Sequence, residues 1–474
     1  MTLKTLTSAL ILRFAEIVGT ANALTRAEDQ AAYLREWRDL YVGKTPVVLR
    51  PGSTEEVSRI LALANAEGVA IVPQAGNTGL VGGQIPSTAG NEIVLSVSRL
   101  KKVRNIDTAG GTFTLEAGVT LLEAQQIAEN AGRLFPLSLA SEGSCQIGGV
   151  LGANAGGTAV LAYGNARNLT LGLEVVLANG EIWNGLRTLK KDNAGYDLRD
   201  LFIGSEGTLG VITAASLKLF PRPAEQATAV VALESPEHAL KLFRRAEDCA
   251  GSGLTTFEFW SETALQFALS HMPGTRDPFS SCYPCYALIE LSSGETGGRA
   301  SYQMEQMLVA ASEDGTILDA TLASSLQQSR DFWKLRESLS EAQKGAGGSI
   351  KHDVSLPIAR IPEFLQRAAH VVEKVCPGAR PVPFGHFGDG NVHYNVSQPV
   401  GMDRAAYLAK WHDMSRAIHT LVAEMDGSIS AEHGIGQLKR DELTLFKSPI
   451  ELEMMRSIKH ALDPKGILNP GKVI

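Results

Sequence analysis

Val69-Ala-Ile-Val-Pro73-Gln74-Ala-Gly-Asn-Thr-Gly-Leu-Val-Gly-Gly83 decides how the chain is read: an apolar run passes without a break into a loop holding four glycines. The run predicts a strand. Glycines in the loop allow close backbone approach, and successive amides there can form a concavity for an anion. The loop fits neither a Walker sequence nor Gly-x-Gly-x-x-Gly, so it does not name its ligand.

Upstream, Val47-Val-Leu-Arg-Pro-Gly predicts a strand and turn, and Thr54 is expected to cap a helix over Glu55–Asn65. Downstream, a second glycine-rich block runs from Ser138 to Gly157, and a third, Phe202-Ile-Gly-Ser-Glu-Gly-Thr-Leu-Gly-Val-Ile212, enters a strand. Any one block could be a tight turn. Three suit a long ligand lying across an interface between lobes better than one phosphate.

After Pro221-Arg-Pro223 the pattern becomes strand–helix–strand: Ala227–Leu233, a helix from Ser235, Thr255–Phe259, then Tyr286–Leu291. This predicts an antiparallel α+β domain. A chain of 474 residues is long for one core, so two domains are expected. The predicted boundaries are 1–222 for the first domain, with its core at about 42–222. A second domain covers 223–425, and a C-terminal segment carrying Glu432 and His433 covers 426–474, ending in a turn-rich tail from Leu462.

The net charge of −7 argues against nucleic acid or an anionic membrane as partner. Five scattered cysteines suggest reduced thiols and a cytoplasmic protein. Cys282-Tyr-Pro-Cys285 has redox spacing but leads into a strand rather than a helix, which favours a structural reading. Lys4 precedes Ala9-Leu-Ile-Leu-Arg-Phe14, a patch broken by Arg13 and Glu16. It predicts an amphipathic first helix rather than a signal peptide. No segment reaches transmembrane length.

The densest chemistry lies in Gly385-His386-Phe-Gly-Asp-Gly-Asn-Val-His393-Tyr-Asn395 and Ala431-Glu432-His433-Gly434. Two imidazoles and a carboxylate are ligand types that hold a divalent cation with a position open for substrate, and His433 could act as a base. His393 and Asn395 share a strand face, and His386 lies on the loop before it. Glu432 and His433 converge only if the backbone turns, which Gly427, Gly434 and Gly436 favour. Polar loop residues with no common site remain the alternative.

Gln327–Gln343 predicts a helix with Arg336 and Ser340 one turn apart, followed by an alternating strand carrying Lys351 and Asp353. Arg, hydroxyl and Lys together could recognise a carboxylate. Residue spacing alone favours Arg336 pairing with Glu337 or Glu341 on a solvated face.

Taken together, Pro-Gln-Ala-Gly-Asn-Thr-Gly-Leu-Val-Gly-Gly, Gly-Ser-Glu-Gly-Thr-Leu-Gly, Gly-His-Phe-Gly-Asp-Gly-Asn-Val-His and Ala-Glu-His-Gly-Ile-Gly resemble the FAD-dependent D-2-hydroxyacid dehydrogenases, vanillyl-alcohol-oxidase-type flavoproteins. Phe-Glu-Phe at 257–259, Leu-Arg-Glu at 335–337, Lys-x-Asp-Val-Ser-Leu-Pro from 351 and Leu-Asp-Pro-Lys-Gly-Ile-Leu-Asn-Pro from 462 narrow the resemblance to members oxidising D-2-hydroxyglutarate.

The resemblance implies an α+β fold: a two-lobed PCMH-type FAD-binding domain and a substrate domain with an antiparallel sheet. It assigns FAD to Pro73, Gln74, Ala75, Gly76, Asn77, Thr78, Gly79 and Gln84 in the first block. In the second it assigns Ser141, Glu142, Gly143, Cys145, Gly148, Gly149, Asn154, Gly156 and Gly157. Glu206, Gly210, Ile212 and Asn469 complete the set, with the tail returning to the flavin domain. His386, His393 and Glu432 would bind Zn²⁺, or Mn²⁺ or Co²⁺. Arg336, Ser340, Lys351, Asn395 and His433 would bind substrate, with His433 the general base. Relatives commonly carry threonine at the position of Ser340, so this pocket is expected to be slightly roomier.

No histidine lies in Gln74–Gly83, so FAD is expected to be non-covalent. The implied reaction is metal-assisted oxidation of D-2-hydroxyglutarate to 2-oxoglutarate, with hydride passing from C2 to flavin N5. The implied acceptor is an electron-transfer flavoprotein or quinone-linked carrier, and a homodimer is expected. D-lactate or D-malate oxidation is the alternative on the same scaffold. The His/Glu cluster could otherwise serve a zinc-dependent hydrolase or a non-catalytic metal-binding module.

Overall fold

The computed structural model describes residues 6–474, so Lys4 lies outside the described residues. They divide into two units. One comprises the chain up to Gly156, Gly164–Pro221 and Glu432–Ile474; the other comprises Gly157–Tyr163 and Arg222–Ala431. Two boundaries differ from the expectation. Residues 157–163 pack in the second unit, and 426–431 remain there rather than opening the C-terminal segment. The physical reasons are local. Thr256 donates its hydroxyl to the Thr158 carbonyl at 3.0 Å, and Ser355 and Ser428 exchange backbone hydrogen bonds.

In the first unit the Val48–Leu49, Glu92–Ser96 and Ala70–Gln74 strands run parallel, with Ala23–Leu24 antiparallel at the edge. Parallel strands are covered on both faces, which is why they read as continuous apolar runs. The connecting helix Thr54–Glu67 is capped one residue earlier than predicted. Ser53 accepts the Glu56 N–H at 3.2 Å, while the Thr54 hydroxyl donates to Glu174 at 2.7 Å. Both residues are competent caps, and the buried Glu174 decides between them. A five-stranded antiparallel sheet follows, in the order Val103–Asp107, Thr112–Glu116, Val211–Lys218, Thr170–Val176, Ile182–Gly185. The first helix, Ser8–Val18, buries Leu10, Phe14, Ala15 and Val18 along one stripe, as its spacing predicts. The tail joins this unit beside Ala70–Gln74: Ile71 donates to the Ile467 carbonyl and Asn469 to the Ile71 carbonyl, both at 2.8 Å.

The second unit is built on an antiparallel sheet in the order Asp319–Leu322, Glu225–Leu233, Cys285–Ser293, Leu254–Ser261, Arg380–Gly385, Asn391–Ser397, Ser349–Ile350. Asp353–Ser355 also pairs with Asn391–Ser397. Alternation divides its side chains between two cores. Ala229, Val231, Phe257 and Phe259 face helices Pro236–Ala250, Arg299–Glu313, Ile361–Val375 and Trp411–Glu424. Val230, Ala232 and Trp260 face helices Glu262–His271 and Leu326–Ala342. The strand predicted through Lys351 and Asp353 is interrupted at Lys351–His352, so those two residues do not sit on one continuous pleat. All five cysteines are free; Cys285 is buried on its strand and Cys282 is exposed, in keeping with the structural reading. Among the described residues no helix is long and apolar enough to cross a membrane.

Candidate active site

The three glycine-rich blocks meet within the first unit. A Cβ on Gly76 would fall 2.0 Å from the Ser144 carbonyl oxygen, one on Gly149 would fall 3.0 Å from Ala75, and one on Gly207 would fall 3.0 Å from Pro73. Close packing therefore requires glycine at 76. Backbone bonds from Gly204 to the Leu151 carbonyl and from Glu206 to the Gly152 carbonyl join the second and third blocks.

FAD fits what this unit leaves open. Among the described residues, the amides of Gly76, Asn77, Thr78 and Gly79 donate to no protein acceptor, as an anion cradle requires. Gly143 and Gly152 border open space. The buried acceptors Gln74 Oε1 and Asn469 Oδ1 have no protein partner, and the hydroxyl and ring N–H donors of a flavin dinucleotide would supply one.

Several residues assigned to FAD by resemblance carry structural bonds as well. Asn77 donates to the Ala32 and Arg35 carbonyls, and Gln84 to Asn77 Oδ1 and the Gly79 carbonyl. Glu142 accepts from Gln125 at 3.0 Å, and Asn154 Oδ1 from the Arg167 amide at 3.0 Å. Gly210 packs against Val175, Cys145 and Ile212 are buried, and Gly157 lies in the second unit.

Glu206 adopts a left-handed backbone, φ 51°, and accepts the amides of Ile435 at 2.7 Å and Gly436 at 2.9 Å. Asn469 Nδ2 donates to the carbonyls of Gly83 and Glu206 at 2.9 and 2.8 Å. Glu206 thus fastens the segment just after His433. Burial pushes its carboxyl up to about 7 despite those two amides and Lys439. Glu432 and His433 lie in a bend, with Gly434 and Gly436 at positive φ, and their side chains approach to 3.7 Å. The backbone turns where the glycines predicted it.

The second unit gathers His386, His393, Arg336 and Asn395. Strands Arg380–Gly385 and Asn391–Ser397 form a hairpin in which Phe384 opposes His393. The short turn Phe387–Asp389 and left-handed Gly390 fold His386 back, bringing the two imidazole centroids to 5.7 Å. Asn395 is buried two residues beyond His393, on the same strand face. Asp353 Oδ1 lies 3.5 Å from His393 Nδ1. Ala431, whose N–H donates to the Asp353 carbonyl at 3.3 Å, immediately precedes Glu432 in the chain. Burial pushes the Asp389 carboxyl up to about 6.

Arg336 is not on a solvated face, as its sequence neighbours suggested. It is 6% exposed, and its Nε donates to Glu258 Oε2 at 2.7 Å. Its Cζ lies 5.3 Å from the Phe384 ring centroid. Nη2 lies 2.6 Å from the same oxygen, so guanidinium and carboxylate form a buried ion pair. Burial raises the Glu258 carboxyl, but Arg336 and His386 outweigh it and hold it below the usual range. Ser340, on the same helix, is exposed; its carbonyl accepts Lys351 Nζ at 3.1 Å. Glu258 was missed by residue spacing. The available signal was a carboxylate between two phenylalanines on a central strand, a buried charge that needs partners.

Residues 45–185 match the family described as FAD binding domain, and residues 222–473 match FAD linked oxidases, C-terminal domain. D-2-hydroxyglutarate dehydrogenase, mitochondrial, from Arabidopsis thaliana is 37% identical over 97% of this chain and 80% of its own length. D-2-hydroxyglutarate dehydrogenase from Xanthomonas citri pv. viticola is 36% identical over 99% and 97%. The crystal structure of p-cresol methylhydroxylase with substrate bound is 16% identical, with a TM-score of 0.75 covering 98% and 96% of the two chains, a likeness of fold. These matches set aside the hydrolase and non-catalytic readings of the chain. The chain belongs to the FAD-linked oxidases, in the group that contains the D-2-hydroxyglutarate dehydrogenases.

Proposed function

We propose that this protein oxidises D-2-hydroxyglutarate to 2-oxoglutarate. The observation that supports the reading is Arg336, a buried guanidinium held by Glu258, on the same unit as the His386–His393 pair. Arg336, with Lys351 and Ser340, would hold the carboxylate distal to the reacting carbon. His386, His393 and Glu432 would hold a divalent cation, Zn²⁺, Mn²⁺ or Co²⁺; two imidazoles and a carboxylate suit all three.

When bound, the cation would supply a Lewis acid for the C2 hydroxyl and FAD would supply the hydride acceptor. His433 would take the hydroxyl proton, and Asn395 would orient the hydroxy-acid end. The alcohol thus loses a hydride and a proton, leaving the ketone. An electron-transfer flavoprotein or quinone-linked carrier would reoxidise the flavin. A homodimer and a cytoplasmic location complete the proposal, the latter supported by five free thiols.

A substrate panel on purified holoenzyme tests the reading. D-2-hydroxyglutarate should exceed D-malate and D-lactate in kcat/KM, and Arg336→Ala should reduce that value about 100-fold or more with FAD still bound. A preference for the monocarboxylate, or near-normal turnover in Arg336→Ala, would contradict it.

A further inference from the structure

Glu258 is a carboxylate that touches both His386 and Arg336, two parts of the proposed metal and substrate machinery in the second unit. It lies within Leu254–Ser261 and is 0% exposed. Its oxygens are divided. Oε1 is 2.7 Å from His386 Nδ1, and Oε2 is 2.7 Å from Arg336 Nε and 2.6 Å from Nη2.

A carboxylate only accepts hydrogen bonds. Nδ1 of His386 must therefore carry the ring proton, which leaves the lone pair of the neutral imidazole on Nε2. On the other side, engagement of Nε and Nη2 by one carboxylate oxygen fixes the plane and orientation of the guanidinium. His393 has a looser counterpart in Asp353, at 3.5 Å, whose Oδ1 also accepts from Asn391 at 2.9 Å.

We propose that Glu258 is a positioning residue that couples the two ends of substrate recognition. One oxygen fixes the His386 tautomer so that Nε2 is the metal ligand, and the other sets Arg336 for the distal carboxylate. The inference rests on the proposed roles of His386 and Arg336. Carboxylates behind metal-binding imidazoles raise ligand basicity and hold ring orientation. Here the same group also carries the substrate-binding arginine, so a change at one end must be felt at the other.

Glu258→Gln is the informative substitution because it preserves volume and gives up one acceptor. If the new NH₂ faces His386, Nδ1 must accept and the ring proton moves to Nε2. If it faces Arg336, it opposes the Nε–H. Each orientation opposes one partner and leaves the other facing a neutral group in place of a charged one, so both are weakened.

In purified holoenzyme, Glu258→Gln should weaken metal affinity about 10–100-fold, measured by competition with a chromogenic chelator and independent of turnover. The ratio of kcat/KM for D-2-hydroxyglutarate over D-lactate should also fall about tenfold. Glu258→Asp keeps the charge and should recover part of both effects; it carries the test if Glu258→Gln does not fold.

His386→Ala and Arg336→Ala separate the possible failures. Wild-type metal affinity in His386→Ala, or unchanged dicarboxylate selectivity in Arg336→Ala, would defeat the underlying functional reading. Loss of metal in His386→Ala and of selectivity in Arg336→Ala, with both at wild-type values in the Glu258 variants, would overturn the coupling alone. A lower Tm in those variants with both readouts intact would mark Glu258 as merely structural.

Discussion

Replacing Arg336 by Met keeps much of the stem against Phe384 and removes the charge that compensates Glu258. That carboxylate is fully buried and would retain only His386 as its polar contact among those described above. Removing one partner of a buried ion pair costs about 3–5 kcal/mol, because the other charge stays desolvated. At about 2–4 °C per kcal/mol for a domain of about 150–250 residues, the second unit should lose about 6–20 °C in Tm. The double variant Arg336→Met/Glu258→Gln should recover most of that loss, since a neutral amide has no charge to compensate. Its oxygen can face His386 while its NH₂ faces the methionine, so metal affinity should recover too, and selectivity for the dicarboxylate should not. Differential scanning calorimetry resolves the unfolding transitions, and chelator competition reports the metal. A single variant within 2 °C of wild type, or a double variant as unstable as the single, would refute this account of the pair.

Three further outcomes are expected. Gly76→Ala should lower the flavin-to-protein ratio of the purified protein, because its Cβ would meet the Ser144 carbonyl oxygen at 2.0 Å; a full FAD complement would contradict the packing argument. Glu206 has a folded pKa of about 7, above its unfolded value, so its contribution to stability is greatest below about pH 4.5 and is lost as pH rises through 7. Wild type should therefore lose about 2.5 kcal/mol relative to Glu206→Gln between pH 5 and 8, and a pH-independent difference between their stabilities would count against the buried carboxyl. Dialysis against a chelator should abolish D-2-hydroxyglutarate oxidation while FAD stays bound, with activity returning on addition of Zn²⁺, Mn²⁺ or Co²⁺; undiminished activity in metal-free protein would remove the cation from the reaction.

Local signals made much of this legible in sequence. The Ala70–Gln74 strand and its loop were readable because apolar residues and glycines are contiguous. The His386–His393 turn was readable because Gly385, Gly388 and Gly390 leave few other paths. The bend after Ala431 followed from Gly434 and Gly436. What escaped was set by distant partners. Arg336 chose Glu258, 78 residues away, over the exposed Glu337 and Glu341, and His386 chose the same carboxylate from 128 residues away. Ser53 displaced Thr54 as cap because Glu174, 120 residues from Thr54, claims its hydroxyl. The break at Lys351–His352 has no marker in an alternating pattern. Hydrophobic periodicity records which face is buried, and it is silent on which charges meet there.

Anaerobic mixing of the FAD-loaded protein with D-2-hydroxyglutarate tests the proposed reaction most directly, read as bleaching of the flavin absorbance before and after chelation. Rapid bleaching by the dicarboxylate, lost with chelator and restored by a divalent cation, is the predicted result. A flavin that stays yellow with D-2-hydroxyglutarate, or bleaches equally well with the metal removed, would contradict it.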